Sequence, residues 1–120
     1  MLKEKLKHII PFDSETLTVL SNLFLEEQVS KGKVFAQKGE YSKMIAFVKS
    51  GVLRAYYSND KGEEYNKTFF TETSFVGAYS SLVTGERNLI NIDCLTPCTL
   101  LIAEYQKIVG LTSSLKTEPS

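Results

Sequence analysis

Short β-forming segments alternate with glycine, asparagine and aspartate turns from Leu25 to Ile102, and this spacing restricts the fold more than any other feature of the sequence. The segments are Leu25–Val29, Val34–Gln37, Ile45–Lys49, Val52–Ser58, Glu64–Phe70, Leu89–Cys94 and Thr99–Ile102. Seven or eight short strands at this spacing predict a mainly β domain, built as an antiparallel sandwich, a jelly roll or a small barrel.

Two stretches carry pairing signals of their own. Asn59–Gly62 has the composition of a tight turn and separates two β-forming runs, so it predicts a hairpin. Within Ile90–Cys94 apolar and polar residues alternate, which predicts a strand with one buried face and one polar face.

Helical patterns flank the β-forming region. Met1–Ile10 places apolar residues on one face and lysines on the other, and Pro11 ends the pattern. Asp13 or Ser14 can cap a second helix. Glu104–Leu111 predicts the start of a C-terminal helix, and the polar residues after it either fray or lead into further protein. The expected division is therefore N-terminal helices (1–24), a β-rich body (25–103) and a C-terminal helix with its tail (104–120).

Composition and charge argue against several functions. The 120 residues are 42% hydrophobic, which suits one packed domain. Fourteen basic and fourteen acidic residues give a net charge of zero, which argues against a nucleic-acid-binding surface on this chain. No apolar run approaches the ~20 residues of a membrane span, and the N-terminus lacks a signal-peptide pattern. The expected location is therefore the cytoplasm, with no membrane partner.

The residue types also give little support for a catalytic or metal centre. Cys94 and Cys98 are expected to be a reduced pair, and a metal site there would need further ligands that the neighbouring sequence lacks. His8 is the only histidine, whereas a metal-dependent cupin enzyme on a similar β-roll usually takes two or three. The adjacent carboxylates at Glu26–Glu27 and Glu63–Glu64 would point to opposite faces of a strand. We therefore expect no metal site and no enzymatic activity.

The segment Phe75–Asn88, called the cassette below, has the pattern of an anion site. An apolar strand end runs into Gly77, and small hydroxyl residues follow at the start of a short predicted helix. Free backbone N–H groups and the positive end of a helix dipole can hold an anion, especially a phosphate. The simpler interpretation is a strand–helix–strand connection that closes the sheet.

Three separate motifs resemble the cyclic nucleotide-binding domain. Val34–Glu40 is similar to the family's strand and Gly-Glu turn, Ile45–Arg54 is similar to its hairpin, and Phe75–Gly77 is similar to the entry of its phosphate-binding cassette. The tyrosines after Arg54 resemble the Crp/Fnr-type bacterial transcription regulators. The resemblance implies a double-stranded, jelly-roll-like β-roll with two short N-terminal helices, a short cassette helix and a C-terminal helix.

The same resemblance implies a function. In Crp/Fnr-type regulators such a domain senses a small effector and shifts a helix that controls an attached module. That module is a C-terminal helix-turn-helix domain, reached through a long dimerisation helix. The implied partners are a small anionic effector, a second copy of the chain, and DNA only through a C-terminal domain absent from this sequence.

Nucleotide-binding members place a glutamate directly after the cassette glycine and an arginine near its end, and this chain departs from both. Ala78 takes the glutamate position after Gly77, and Asn88 falls at the arginine position, with Arg87 one residue early. Losing both groups should weaken cyclic-nucleotide binding by roughly two to four decades. The residues expected at the ligand site, for a cyclic nucleotide or another small anion, are Gly77, Ala78, Tyr79, Ser80, Ser81, Arg87 and Asn88.

The sequence therefore predicts an effector-sensing regulatory domain with a degenerate pocket. The alternative is a ligand-independent scaffold or dimerisation module with the same fold.

Overall fold

Two antiparallel sheets face each other in the computed structural model, which describes residues 2–9 and 14–116. The strands are β1 (Leu25–Val29), β2 (Val34–Ala36), β3 (Met44–Ser50), β4 (Leu53–Ser58), β5 (Glu64–Phe70), β6 (Phe75–Val76), β7 (Asn91–Cys94) and β8 (Cys98–Glu104). Sheet A has the strand order β1-β8-β3-β6, and sheet B has the order β2-β7-β4-β5. The predicted mainly β, jelly-roll-like fold is confirmed.

Short helices lie at both ends of the β-roll and inside the cassette. They are α1 (Leu2–Ile9), α2 (Ser14–Asn22), α3 (Tyr79–Thr84) and α4 (Tyr105–Lys116). α4 continues past the predicted Leu111, because no proline follows in the sequence before Pro119. No helix of the described part is long and apolar enough to cross a membrane. Pro11, Asp13 and the side chain of His8 lie outside the described residues.

The strand positions follow the sequence pattern, with local shifts. β1 and β5 have the predicted bounds. The strand end expected before Gly77 becomes β6, which pairs with β3 through Phe75 opposite Phe47. β7 begins later than predicted, because residues 89–90 form a bend and Leu89 is 57% exposed.

The predicted hairpin joins β4 to β5, and side-chain hydrogen bonds fix its turn. Asn59 Oδ1 accepts hydrogen bonds from the backbone N–H groups of Lys61 and Glu63, each at 3.0 Å. Further along β5, Asn66 has a positive φ of 53°, at the point where the β4–β5 register shifts. This irregularity twists the edge of sheet B, as β-bulges do.

The strand β3 of sheet A is covered on both faces at its centre, which explains its nearly continuous apolar run. Ala46 and Val48 point into the space between the sheets, where Ile92 of sheet B packs. Phe47 points the other way and packs under the N-terminal helices. Apolar residues of α1, α2 and α4 complete this second cluster; they include Leu6, Leu17, Leu20 and Ile108. The helices are therefore held against the sheet that carries the strand leading into the cassette.

Both cysteines lie between the sheets, as free thiols. Burial and the adjacent Cys98 raise the pKa of Cys94 to about 12, so its thiol stays protonated at neutral pH. Gly51 lies against this pair with φ +102°, and a Cβ there would come within 2.6 Å of Cys98 Sγ and 2.7 Å of Pro97 O. The β3–β4 turn needs glycine both for its backbone angle and for this close approach.

Candidate functional site

The cassette folds as a strand end, a single short helix and an extended exit. Ala78 is the N-cap residue of α3 and has no side-chain cap; its carbonyl accepts the backbone N–H groups of Ser81 and Leu82, each at 3.1 Å. Gly85 closes the helix in the left-handed conformation, with φ 76°, and its N–H donates to Ser81 O at 3.0 Å. The short helix expected after Gly77 is therefore present.

Two of the expected ligand residues are packed against their own neighbours. A Cβ at Gly77 would lie 2.9 Å from Leu82 Cδ1, so the absence of a side chain lets β6 approach α3. Ala78 is 1% exposed and belongs to the apolar core between the sheets. Its methyl group can neither accept nor donate a hydrogen bond at the position where nucleotide-binding members have a glutamate.

Two hydroxyl groups of α3, those of Ser81 and Thr84, bind backbone groups. Ser81 is 5% exposed; its Oγ accepts the backbone N–H of Ser42 at 2.8 Å and lies 3.4 Å from Ser42 O. Ser80 supplies the carbonyl that accepts the Thr84 hydroxyl. Ser81 thereby ties α3 to the connection between β2 and β3, residues 37–43.

Tyr79 begins α3 and lies against the helical layer. Its ring lines an apolar groove with Phe24, Phe75 and Ile108. Partial burial, together with the nearby Tyr105 of α4, raises the pKa of Tyr79. Tyr79, the first residue of the cassette helix, therefore lies close enough to Tyr105, the first residue of α4, for the two side chains to influence each other's ionisation.

Asn88, the last residue of the cassette, is buried. It is 2% exposed, and its side-chain amide donates to Gln37 O at 3.0 Å and to Ser42 Oγ at 2.9 Å. Its backbone N–H donates to Glu40 O at 2.7 Å, and its carbonyl accepts from Gly39 N at 2.9 Å. These four bonds fasten the cassette exit to residues 37–42. Asn88 Oδ1 is buried and has no hydrogen-bond partner.

Arg87 is exposed and faces away from this buried position. Its guanidinium donates to Gly39 O at 2.9 Å and lies 5.1 Å from the centre of the Tyr41 ring. Adjacent residues in an extended chain point to opposite sides. The structure therefore places the neutral Asn88 inside and the cationic Arg87 outside.

A cavity of about 390 Å³, called the cassette cavity below, lies between α3, the β2–β3 connection and the start of α4. It is lined by Tyr41, Ser42, Lys43, Ser81, Leu82, Gly85, Glu104, Tyr105 and Gln106. The backbone N–H of Tyr105 donates to Lys43 O at 2.9 Å, which joins α4 to the connection. Sequence reasoning missed Ser42 and Tyr105, because no local pattern shows that residues so far apart in sequence share one wall.

A half-buried ion pair holds the outer face of sheet B. Arg54 Nε donates to Asp93 Oδ1 at 2.8 Å, and a second guanidinium nitrogen lies 3.2 Å from Asp93 Oδ2. The hydrogen bond to Asp93 raises the pKa of Arg54 above its ordinary value.

Among the described residues, no cluster of three or more histidine, cysteine, aspartate or glutamate side chains could hold a metal ion.

Comparisons with known proteins identify the family. A family model described as the cyclic nucleotide-binding domain matches residues 26–114. Among solved structures, the chain resembles the catabolite activator protein of Thermus thermophilus, at 17% identity and a TM-score of 0.77, over 90% of this chain and 50% of that one. It also resembles the sensor domain of the transcriptional regulator DNR of Pseudomonas aeruginosa, at 14% identity and a TM-score of 0.79, over 92% of this chain and 76% of that one.

A third similar structure is a regulatory subunit of a cAMP-independent protein kinase A from Trypanosoma cruzi, bound to guanosine. It shares 17% identity and a TM-score of 0.73, over 94% of this chain and 43% of that one. The chain thus spans half or less of the Thermus and Trypanosoma proteins. No curated protein sequence matches it significantly.

These identities are low, so the structural likenesses show the fold alone. The family match is broader evidence, because it runs from β1 through the cassette and into α4. It agrees with the resemblance found in the sequence, and the structural neighbours include regulators of the Crp/Fnr type. The chain belongs to the cyclic nucleotide-binding domain family.

Proposed function

We propose that this chain is the effector-sensing domain of a Crp/Fnr-type transcription regulator whose nucleotide pocket has become degenerate. The family match and the fold support a regulatory sensing role. The observation that carries the degenerate pocket is the burial of Asn88 in place of an arginine, with Arg87 exposed beside it. DNA would be contacted only by a further domain, and a second copy of the chain would complete the regulator.

Weak binding of cyclic nucleotides follows from the groups at the cassette. Ala78 offers no acceptor to a ribose hydroxyl, and the missing bond costs on the order of 1–3 kcal/mol. A cyclic phosphate would also lose a charge-assisted pair, because the inward residue at the exit is a neutral amide. The ligand is then a cyclic nucleotide bound weakly, or another small molecule that the altered pocket prefers.

The route from ligand to output runs through α4. The cassette cavity touches α3 on one side and the first turn of α4 on the other. A ligand that contacts both would favour one position of α4 over another, and this difference in contact is what allosteric control requires. Further along α4, Ile108 packs in the same apolar cluster as Phe24 and Phe47, so a shift of the helix would repack that cluster.

The ligand-independent scaffold or dimerisation module remains the competing proposal. This proposal is supported by the hydrogen bonds within the cassette region, since Ser81 and the Asn88 amide nitrogen both bind groups of the β2–β3 connection. A scaffold would need no more than this.

A thermal-shift screen separates the two proposals. The chain is heated with cyclic AMP, cyclic GMP, inorganic phosphate or guanosine; guanosine is included because the trypanosome subunit of the same fold holds it. A sensing domain should melt at a higher temperature with at least one of these compounds. The Arg87→Ala variant tests whether an anion reaches the cassette exit, and Lys61→Ala in the distant β4–β5 turn is a control with the same change in charge. If no compound changes the melting temperature, the scaffold is favoured.

A further inference from the structure

Two opposite charges on the wall of the cassette cavity lack a strong partner in the protein. Lys43 and Glu104 are the two charged side chains that line this cavity. Among the described residues, the Lys43 ammonium has no carboxylate within 4.0 Å. Glu104 has only Lys107, at 3.6 Å, and these two side chains are 43% and 67% exposed. An exposed pair at this distance contributes little, so both charges remain available to a ligand.

The backbone holds these two charged residues next to each other. Glu104 lies opposite Met44 at the end of the β3–β8 ladder, and the backbone N–H of Tyr105 donates to Lys43 O at 2.9 Å. Lys43 and Glu104 therefore start from adjacent strand ends. Their side chains nevertheless form no ion pair with each other, although both reach the same cavity. A molecule that enters the cavity meets one cation and one anion, at positions set by the sheet.

The charges of the wall distinguish between classes of ligand. A simple anion would pair with Lys43 but would also face the Glu104 carboxylate, and a simple cation would meet the reverse problem. A zwitterion pairs with both groups at once. Arg87 contacts the lining residue Tyr41, but its guanidinium already donates to Gly39 O. The wall therefore favours a ligand that carries one positive and one negative charge.

The rest of the wall is largely apolar and of suitable size. The volume of about 390 Å³ falls in the range of small-molecule sites, about 300–1,000 Å³. Leu82 is 4% exposed, and the rings of Tyr41 and Tyr105 add flat apolar surface. Ser81 Oγ and the Ser42 backbone N–H are already bound to each other. The cavity therefore suits a small zwitterion with an apolar or aromatic remainder.

We propose that the cassette cavity binds a free α-amino acid with an apolar side chain, whose carboxylate pairs with Lys43 and whose ammonium pairs with Glu104. An α-amino acid carries both charges on one carbon, so it fits between two charged groups on adjacent strand ends, and its side chain packs against the apolar wall. This rests on the proposed sensing function and names the chemical class of its effector. Because Leu82 belongs to α3 and Tyr105 begins α4, the occupant joins the two elements whose relative position a sensor must change.

NMR titration of the nitrogen-15-labelled full chain tests the site directly. The probes are L-phenylalanine and L-leucine, together with 3-phenylpropionate, which lacks the ammonium, and 2-phenylethylamine, which lacks the carboxylate. An amino acid should shift the backbone amide resonances of Gly85 and Gln106, which line the cavity, and leave Gly62 in the distant β4–β5 turn unchanged. Each single-charge analogue should bind about tenfold more weakly than L-phenylalanine, because it loses one charge-assisted contact.

Two charge variants assign each contact to its partner. Lys43→Gln should weaken L-phenylalanine binding about tenfold without weakening 2-phenylethylamine, which has no carboxylate to lose. Glu104→Gln should weaken L-phenylalanine to a similar extent without weakening 3-phenylpropionate. Lys61→Gln makes the same charge change as Lys43→Gln outside the cavity and should alter none of these affinities. The replaced side chains are exposed or half-buried, which keeps the folded core intact.

The outcomes separate this inference from the sensing function itself. If neither amino acid binds, the inference is overturned, while the thermal-shift screen still decides whether the chain senses another compound. Equal affinities for L-phenylalanine and its two analogues overturn the inference as well, and so does unchanged binding in either charge variant. If L-phenylalanine binds as expected but the resonances of Ile108 and Gly110, further along α4, do not move, the site is supported and the sensing function is contradicted.

Discussion

Replacing Asn88 by aspartate changes only the charge and the donor capacity of the side chain, so Asn88→Asp is a sensitive test of the cassette exit. The wild-type amide donates to Gln37 O at 3.0 Å and to Ser42 Oγ at 2.9 Å from a position that is 2% exposed. An ionised carboxylate cannot donate, and the neighbouring Arg87 is turned away toward Gly39 and Tyr41, so its guanidinium does not compensate the new charge.

The size of the destabilisation by Asn88→Asp follows from the burial of the introduced carboxylate. Burial of this kind raises the pKa of a carboxyl by several units above its ordinary value of about 3.9. A rise of about three units costs about 4 kcal/mol at pH 7, and the lost bond to Gln37 O adds about 1 kcal/mol. The total of about 5 kcal/mol is comparable to the whole stability of a small domain, about 5–15 kcal/mol. The variant should therefore be barely folded at neutral pH.

The cost should also depend on pH, in a direction fixed by the raised pKa of the introduced carboxyl. At a pH well below about 3.9 this group is protonated in both states, so the electrostatic cost is absent; the cost grows as the pH rises from there toward the folded-state pKa. The difference in unfolding free energy between wild type and variant should fall from about 5 kcal/mol at pH 7 to about 2 kcal/mol at pH 4.5.

Urea unfolding at the two pH values measures this difference, with Asn91→Asp as the matched control. The control carboxylate is half-buried and keeps the acceptor role toward the Lys38 N–H, so it should cost less than about 1 kcal/mol. If Asn88→Asp lowers the free energy of unfolding no more than the control does at both pH values, the Asn88 side chain is not enclosed between two acceptor oxygens. The reasoning about the cassette exit would then be wrong.

Three further perturbations test the β-roll that carries the cassette. Gly51→Ala forces a Cβ to within 2.6 Å of Cys98 Sγ at a φ of +102°, and should cost roughly 2–4 kcal/mol in urea unfolding; an unchanged midpoint would show that the turn opens freely. Asp93→Asn removes a half-buried partner of Arg54 and should cost about 1–2 kcal/mol; in a salt titration at fixed pH, the wild type should lose more stability than the variant, which keeps the Arg54–Glu64 pair. The pKa of Cys94 is raised from 9.0 to about 12, so the free energy of unfolding should fall as the pH rises between these values, by up to about 1.4 kcal/mol per pH unit. The Cys94→Ala variant should lack this pH dependence. Equal slopes for the two proteins would contradict the burial of the thiol.

The general fold could be predicted because its signals are local. The residues Asn59–Gly62 predicted the hairpin correctly, because an asparagine side chain can form hydrogen bonds with the backbone of its own turn. The alternation in Ile90–Cys94 marked a strand with one buried face, and Ile92 is fully buried. The three glycine-containing motifs were sufficient to suggest the family that the comparisons confirm.

The candidate site was harder to predict because its contacts are distant in sequence. Ser42 and Ser81 are separated by 39 positions and meet only because β3 and β6 lie side by side in sheet A. The gap-free register put Asn88 at the arginine position, but only the fold shows that it is buried and that Arg87 is not. Sequence reasoning also gave no sign of the cavity against α4, because that wall combines three separate elements.

The sequence by itself determined the β-roll, its flanking helices and the missing polar groups of the cassette, because turn chemistry, alternation and residue type act over a few neighbouring positions. Only the tertiary structure decided that Asn88 Oδ1 lies buried without a partner and that a cavity joins the cassette to α4. Whether a buried polar atom is paired depends on which distant backbone and side-chain groups the fold brings within hydrogen-bonding distance, and no local pattern encodes that.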